Sequence, residues 1–201
     1  MRKIFIIVIF LLVQNIYAHS QTAFSGGVYW TYEDYKNNKL DKKGNFDNLT
    51  AFFGITAVFE NEQGIKEKVN VTEAFAFIDE KGILWRPFHK KGAVLRTIIK
   101  GNVCLYLDVT EINGNALKEI ECTKNGRPLL RTNAFYVSKG INGEPMKGAG
   151  NVKDVIADCP EAKAELTTGI NVYVAFKAYV VYNKINPMAG DYIYPDCPII
   201  K

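Results

Sequence analysis

Apolar positions in the middle of the chain come in short runs broken by turn residues. The β-prone runs are AFFGITAVF (51–59), VNVTEAFAFI (69–78), ILWRPF (83–88), AVLRTII (93–99), VCLYLDV (103–109), LKEIEC (117–122) and LLRTNAFYV (129–137). Between them stand NEQG (61–64), DEKG (79–82), KKG (90–92), KGN (100–102), NGN (113–115) and NG (125–126). Each break supplies a residue that tolerates positive φ, as tight hairpins require. Over 103–109 the alternation is clean, with Val103, Leu105, Leu107 and Val109 on one face. Short strands at ~8–12-residue spacing predict an antiparallel meander.

The pattern changes after Val152. In DCPEAKAELTTG (158–169), Asp158 stands at an N-cap position, Pro160 in the first turn and Glu161 three residues after the cap, with Gly169 as the stop. This predicts a short helix, with a further turn in NVKDVIA (151–157) before it. Residues 170–185 fit two periods. Their β-branched and aromatic content suits a strand, whereas Ile170, Val174, Ala178, Val181 and Ile185 fit one helical stripe. The helical reading, ending before Pro187, is preferred. The fold class that follows is α+β: an antiparallel β-meander of about seven to eight strands, then roughly two or three C-terminal helices.

The start of the chain modifies this picture. Residues 1–20 have the form of a secretory signal peptide: Arg2 and Lys3, then the apolar run Ile4–Val13, then small residues at Ala18 and Ser20. Cleavage after Ser20 satisfies the small-x-small pattern, and cleavage after Ala18 is its near rival. The run is shorter than the ~20 residues that span a bilayer. No Cys follows it, so no bacterial lipid-attachment site is present. The expectation is an exported protein, periplasmic or extracellular and without a lipid anchor, whose residues 21–201 form a single domain. Two of the 25 Lys+Arg leave with the signal, so 23 against 21 Asp+Glu leave a net charge near +2. That is too small to argue for nucleic acid or an anionic membrane.

Export also changes the meaning of the four cysteines, Cys104, Cys122, Cys159 and Cys197. In an oxidising compartment an even number suggests disulfides, with the connectivity left open by spacing. A hairpin at Asn113-Gly114 folding 103–109 onto 117–122 would set Cys104 near Cys122, and Cys159 with Cys197 would follow. Two buried thiols remain the competing reading. No two cysteines are close enough in sequence to suggest a metal site.

The opening of the mature chain, GGVYWTYEDYKNNK (26–39), resembles the N-terminus of small exported proteins of Bacteroidota, G-[IV]-Y-x-[ST]-[FY]-x-[DE]-[FY]-x-x-N-x-P, with Leu40 standing where the pattern has Pro. FIDEKGILWRPF (77–88) is similar to their central hairpin, and VIADCPEA (155–162) to their helix start. The resemblance implies export and a small mixed fold. It brings no activity and no functional residue.

Candidate chemistry is sparse. Ser138 with His89 would be the one serine–base pair away from the N-terminus, and no G-x-S-x-G elbow surrounds it. Glu33–Asp34, Asp79–Glu80 and Asp108–Glu111 are the local carboxylate pairs that glycoside hydrolysis would need. No P-loop, dinucleotide fingerprint or H-E-x-x-H appears, and GINGEPMKGAG (140–150) reads as a connector. The candidate ligand-binding residues are Trp85, Arg86 and His89 in LWRPFHKK, together with Trp30. On a strand Trp85 shares a face with His89, and Arg86 shares one with Phe88. Pro87 marks an edge or bulge there. The competing reading puts Trp85 and Phe88 in the core. For 29–32, alternation places Tyr29 and Thr31 on one face and Trp30 and Tyr32 on the other, a strand covered on both sides rather than a sugar platform.

The functional reading is therefore a non-catalytic exported protein that binds a protein or glycan partner, with no cofactor, no metal and no nucleic acid. The alternatives are a small carboxylate-dependent glycan hydrolase and a structural component of a cell-surface assembly.

Overall fold

The structure is a computed structural model that describes residues 26–50, 54–88, 92–109, 134–166 and 169–193. Residues 1–20, read above as a signal peptide, and His89, Glu111, Cys122 and Cys197 lie outside the described residues. The fold is α+β: a large antiparallel sheet of meander-like order followed by C-terminal helices. Strands β1 (Gly26–Tyr29), β2 (Asp41–Thr50), β3 (Thr56–Glu60), β4 (Lys66–Asn70), β5 (Ala76–Ile78), β6 (Leu84–Phe88), β7 (Ala93–Lys100), β8 (Val103–Asp108), β9 (Phe135–Lys139) and β10 (Met146–Lys147) lie in the order β10-β9-β8-β7-β6-β5-β1-β2-β3-β4. A final strand, β11 (Tyr192–Ile193), pairs with Ile99 and Lys100 of β7, beyond the reach of β6. The described sheet thus has eleven strands, more than the sequence pattern suggests.

The additional strands are polar or very short. β2 reads DKKGNFDNLT and is mostly exposed, so it has no apolar alternation to betray it. The run 69–78 is two strands rather than one. The Asn70 side chain accepts from Thr72 N at 3.0 Å and Ala74 N donates to Val71 O at 3.0 Å, which ends β4 and turns the chain into β5. That turn carries the chain from β4 to the far side of β1, which is itself paired with β2 and β5.

Pairing registers assign the faces. Phe77, Trp85, Val94, Leu107 and Leu105 belong to one face. β2 pairs with β1 at Asp41 and Gly44, then with β3 from Asn45 onward, and so bends across this face. Phe46 lies 5.4 Å from Trp85 and Phe59 6.3 Å from Phe77, ring centre to ring centre, so β2 and β3 cover β5 and β6. A Cβ on Gly44 would stand 2.9 Å from Glu60 O, so only glycine fits this approach.

The rest of the face is covered by helices α2 (Gly148–Val155), α3 (Pro160–Ala164) and α4 (Val172–Ile185), which bury Val103, Leu105, Phe135 and Val137. α4 confirms the helical reading of 170–185. Its N-cap is Asn171, whose side chain accepts from Tyr173 N and Val174 N. The buried residues are Val172, Ala175, Ala178, Tyr179, Tyr182 and Asn183, a face that shares only Ala178 with the stripe the apolar periodicity suggests. α3 begins as expected at Pro160, but Asp158 is not its cap. Its carboxylate instead pairs with Lys139 at 2.7 Å and accepts from the Tyr182 hydroxyl at 3.1 Å.

On the opposite face, the stretch 29–32 corrects the sequence reading. β1 stops at Tyr29, and helix α1 (Tyr32–Lys36) follows. Thr31 is its N-cap: the hydroxyl accepts from Asp34 N at 3.0 Å and the Asp34 carboxylate accepts from Thr31 N at 3.0 Å. This reciprocal box overrides the β-propensity of the aromatics. Tyr32 and Tyr35 then pack with Tyr29 and Phe75 over this side of the sheet.

Candidate ligand-binding site

The residues expected to form one binding platform are dispersed. Trp85 is core, 2% exposed, stacked on Phe77 at 5.9 Å and carrying the Arg96 guanidinium 5.2 Å from its ring centre. Its indole N–H donates to Asp79 Oδ2 at 3.0 Å. Trp30 is 37% exposed and donates to Asp41 Oδ2 at 2.8 Å, a bond that lowers the Asp41 carboxyl below its ordinary range. Arg86 emerges on the other face of β6 from Trp85 and shares that face with Phe88, as alternation requires. β6 is an edge only in part. β5 accompanies it through Leu84 and Trp85, and Pro87 lies beyond that ladder, where its missing N–H costs nothing.

The other chemical candidates are largely occupied. Asp79 accepts from Lys81 N at 3.0 Å and Ile83 N at 2.9 Å in addition to Trp85, so it builds the turn between β5 and β6. Burial nonetheless pushes its carboxyl above the usual range. Asp34 is spent on the α1 cap and Glu33 on Lys36, 3.0 Å away. Ser138 is buried, donating to Gly140 O at 2.7 Å and sharing a 3.0 Å contact with the Tyr106 hydroxyl.

Cys104 and Cys159 are buried free thiols, which corrects the disulfide expectation for both. Opposite Cys104 stands Ser138 of β9, and β7 takes the other edge of β8, so β8 has no free edge for the hairpin inferred from Asn113-Gly114. The Cys104 thiol donates to Gly101 O at 3.4 Å, and burial raises its pKa.

Where β6 outlasts β5, the sheet opens into a notch of about 270 Å³. Residues 73–75 form one wall, Arg86 and Phe88 the other, and Asn142, Glu144 and Pro145 close it from the turn between β9 and β10. The Arg86 guanidinium lies 4.9 Å from the Phe75 ring centre and donates through Nη1 to Ile141 O at 2.7 Å and Gly143 O at 2.9 Å. Its buried Nε has no hydrogen-bond partner among the described residues. A guanidinium fixed by a ring and two carbonyls is pre-organised, with hydrogen-bonding capacity left over. Glu73 and Glu144 add carboxylates to the same notch.

A second cavity of about 400 Å³ lies where the end of β7 meets the C-terminal end of α4 and β11. Its apolar lining includes Ile99, Val180, Met188 and Ile193, with Lys100, Lys184 and Asp191 as the charged members. No signal in the sequence joins these residues, which come from separate elements.

Among the described residues no group of three or more His, Cys, Asp or Glu side chains could hold a metal, and no helix is long and apolar enough to cross a membrane. No protein-family model, curated protein or solved structure matches the chain.

Proposed function

We propose that this is an exported, non-catalytic binding protein that contacts its partner, a protein or a glycan, at the Arg86 notch. The observation that carries the reading is Arg86 itself, anchored on Phe75 and two backbone carbonyls within a concave, mixed polar and apolar surface. Fixing the side chain in advance lowers the ordering cost of binding. Export rests on the basic, apolar and small-residue order of residues 1–20, and the single-domain reading on the length that follows. Burial of both described thiols suits an oxidising compartment, because a shielded thiol does not meet oxidant.

The test is recovery of partners from the exported fraction by the tagged protein, beside titration with a glycan panel followed by amide NMR. The expected result is one ligand or partner whose contact shifts cluster at 73–75, 86–88 and 142–145. Its affinity should fall about tenfold or more in Arg86→Lys, since a charge-assisted hydrogen bond contributes ~1.5–3 kcal/mol. Full retention of binding by Arg86→Lys and Glu73→Ala would remove the notch from the reading. A hydrolase reading is favoured by one observation, the presence of Glu73 and Glu144 in the same notch. Glycan turnover abolished by Glu73→Gln or Glu144→Gln would replace binding with catalysis.

A further inference from the structure

The Arg86 notch has a backbone edge as well as side chains. Asp79 N donates to Ile83 O at 3.1 Å, which turns the backbone groups of Ile83 toward β5, and alternation turns those of Trp85 and Pro87 the same way. Phe77 of β5 lies opposite Trp85. The ladder does not continue to Pro87, because Phe75 N donates to Trp30 O at 3.1 Å and draws the chain toward β1. Pro87 therefore shows the notch a carbonyl oxygen and, having no N–H, no donor. The backbone groups of Arg86 and Phe88 face β7. A partner strand laid along this edge would gain a single backbone hydrogen bond, whereas strand addition draws its affinity from a run of them.

The side chains supply both kinds of hydrogen-bonding group. Arg86 spends Nη1 on Ile141 O and Gly143 O and buries Nε, so Nη2 is the donor left for a ligand. Glu73 stands exposed on one wall as an acceptor, and Asn142 is exposed opposite it as donor and acceptor. Glu144 brings a second carboxylate, and Phe75, Phe88 and Pro145 give the lining its apolar part. An anion entering the notch would face two carboxylates, and a cation would face the guanidinium. A hydroxyl group donates once and accepts twice, so it matches this mixture without bringing a charge.

We propose that the notch binds one uncharged sugar ring of a glycan, its hydroxyls donating to Glu73 and the Pro87 carbonyl and accepting from Arg86. The proposal rests on the reading of the notch as the contact site, and it selects a glycan over a peptide strand as the occupant. At about 270 Å³ the notch falls just below the usual range of small-ligand sites, roughly 300–1,000 Å³, which suits a single ring with the rest of the glycan outside.

The test titrates residues 21–201 with the methyl glycosides of glucose, galactose and mannose, each beside its 2-amino and uronic acid counterparts, followed by amide NMR. At least one neutral glycoside is expected to shift amides at 73–75, 86–88 and 142–145 at a concentration about fivefold below either charged counterpart, as unfavourable exposed charge contacts imply. Glu73→Gln, a change on an exposed side chain, should narrow the preference over the uronic acid about two- to fivefold. An unchanged preference in Glu73→Gln, or tighter binding of a charged sugar than of its neutral form, would overturn the assignment. So would the failure of every sugar to shift these amides. In that last case the partner recovered from the exported fraction separates the two readings: contact shifts from a protein at 73–75, 86–88 and 142–145 keep the notch as the contact site and remove only the sugar, and contact shifts elsewhere remove both.

Discussion

Asn183 is a polar residue in the buried face of α4, and its amide is matched on both sides. Oδ1 accepts from Val103 N at 3.1 Å and Nδ2 donates to Val103 O at 3.0 Å, so one side chain completes the backbone bonding of the first residue of β8. The fit depends on Gly101, where a Cβ would stand 2.4 Å from Asn183 Oδ1. Replacing Asn183 with Leu keeps the volume but strands a buried N–H and a buried C=O, each costing ~1–3 kcal/mol. Asn183→Leu is therefore expected to lower the unfolding free energy by about 2–4 kcal/mol, read from the urea midpoint. Gly101→Ala should cost a similar amount, and the double variant less than the sum, because both act on one contact. Sequence reading has no access to this pair. An Asn in a helix interior reads as a weak helix former, and its strand partner lies 80 positions earlier.

Among the elements, those with an apolar period were legible and those without one were not. β6, β7, β8 and β9 follow their alternating or continuous apolar runs, and the turn glycines between strands do their expected work at Gly64 and Gly82, both at positive φ. β2 escaped because its side chains are polar and its place is set by backbone pairing to β1 and β3. α1 escaped for another reason. Thr31 and Asp34 carry a capping-box spacing, but four aromatics in seven positions favoured a strand. β4 shows how the outer edge of the sheet is kept soluble: in KEKVN only Val69 is buried, and Lys66, Glu67 and Lys68 stand in solvent. Lys66 also ion-pairs with Asp47 at 2.9 Å. Charged edge strands resist pairing with another copy. The variant Lys66→Val with Lys68→Val is expected to self-associate in a concentration-dependent way by light scattering, while the wild-type protein keeps a constant mass. Equal masses for the two would show that something other than edge charge blocks pairing.

At the scale of the molecule, one face of the sheet is shared between two covers. β2 and β3 fold over the Phe77–Trp85 stack, and α2–α4 cover β8 and β9. The two described cysteines are buried on opposite sides of the sheet, Cys159, 3% exposed, under the helices and Cys104, fully buried, with Leu95 and Tyr106 on the face that α1 overlies. Alkylation with peptide mapping should leave both unmodified in the native protein and label both in denaturant. Labelling of Cys104 should proceed no faster than global unfolding, because β8 is enclosed by β7 and β9. Rapid native labelling of Cys104 would mean that the sheet opens locally at β8.

The sequence by itself determined the class of the protein: turn residues at close intervals make antiparallel hairpins, and a Pro-started segment after them makes helices. These are local preferences, and each is written within a few neighbouring positions. Tertiary structure alone decided which face each strand turns to which cover, that Trp85 is core while Arg86 beside it lines a notch, and that Cys104 faces Ser138 rather than another cysteine. It also brought Lys100, Val180 and Tyr192 to one groove. Such placements depend on the order in which strands pair and on where one strand outlasts its neighbour, and long-range pairing leaves no local mark on the residues that it brings together.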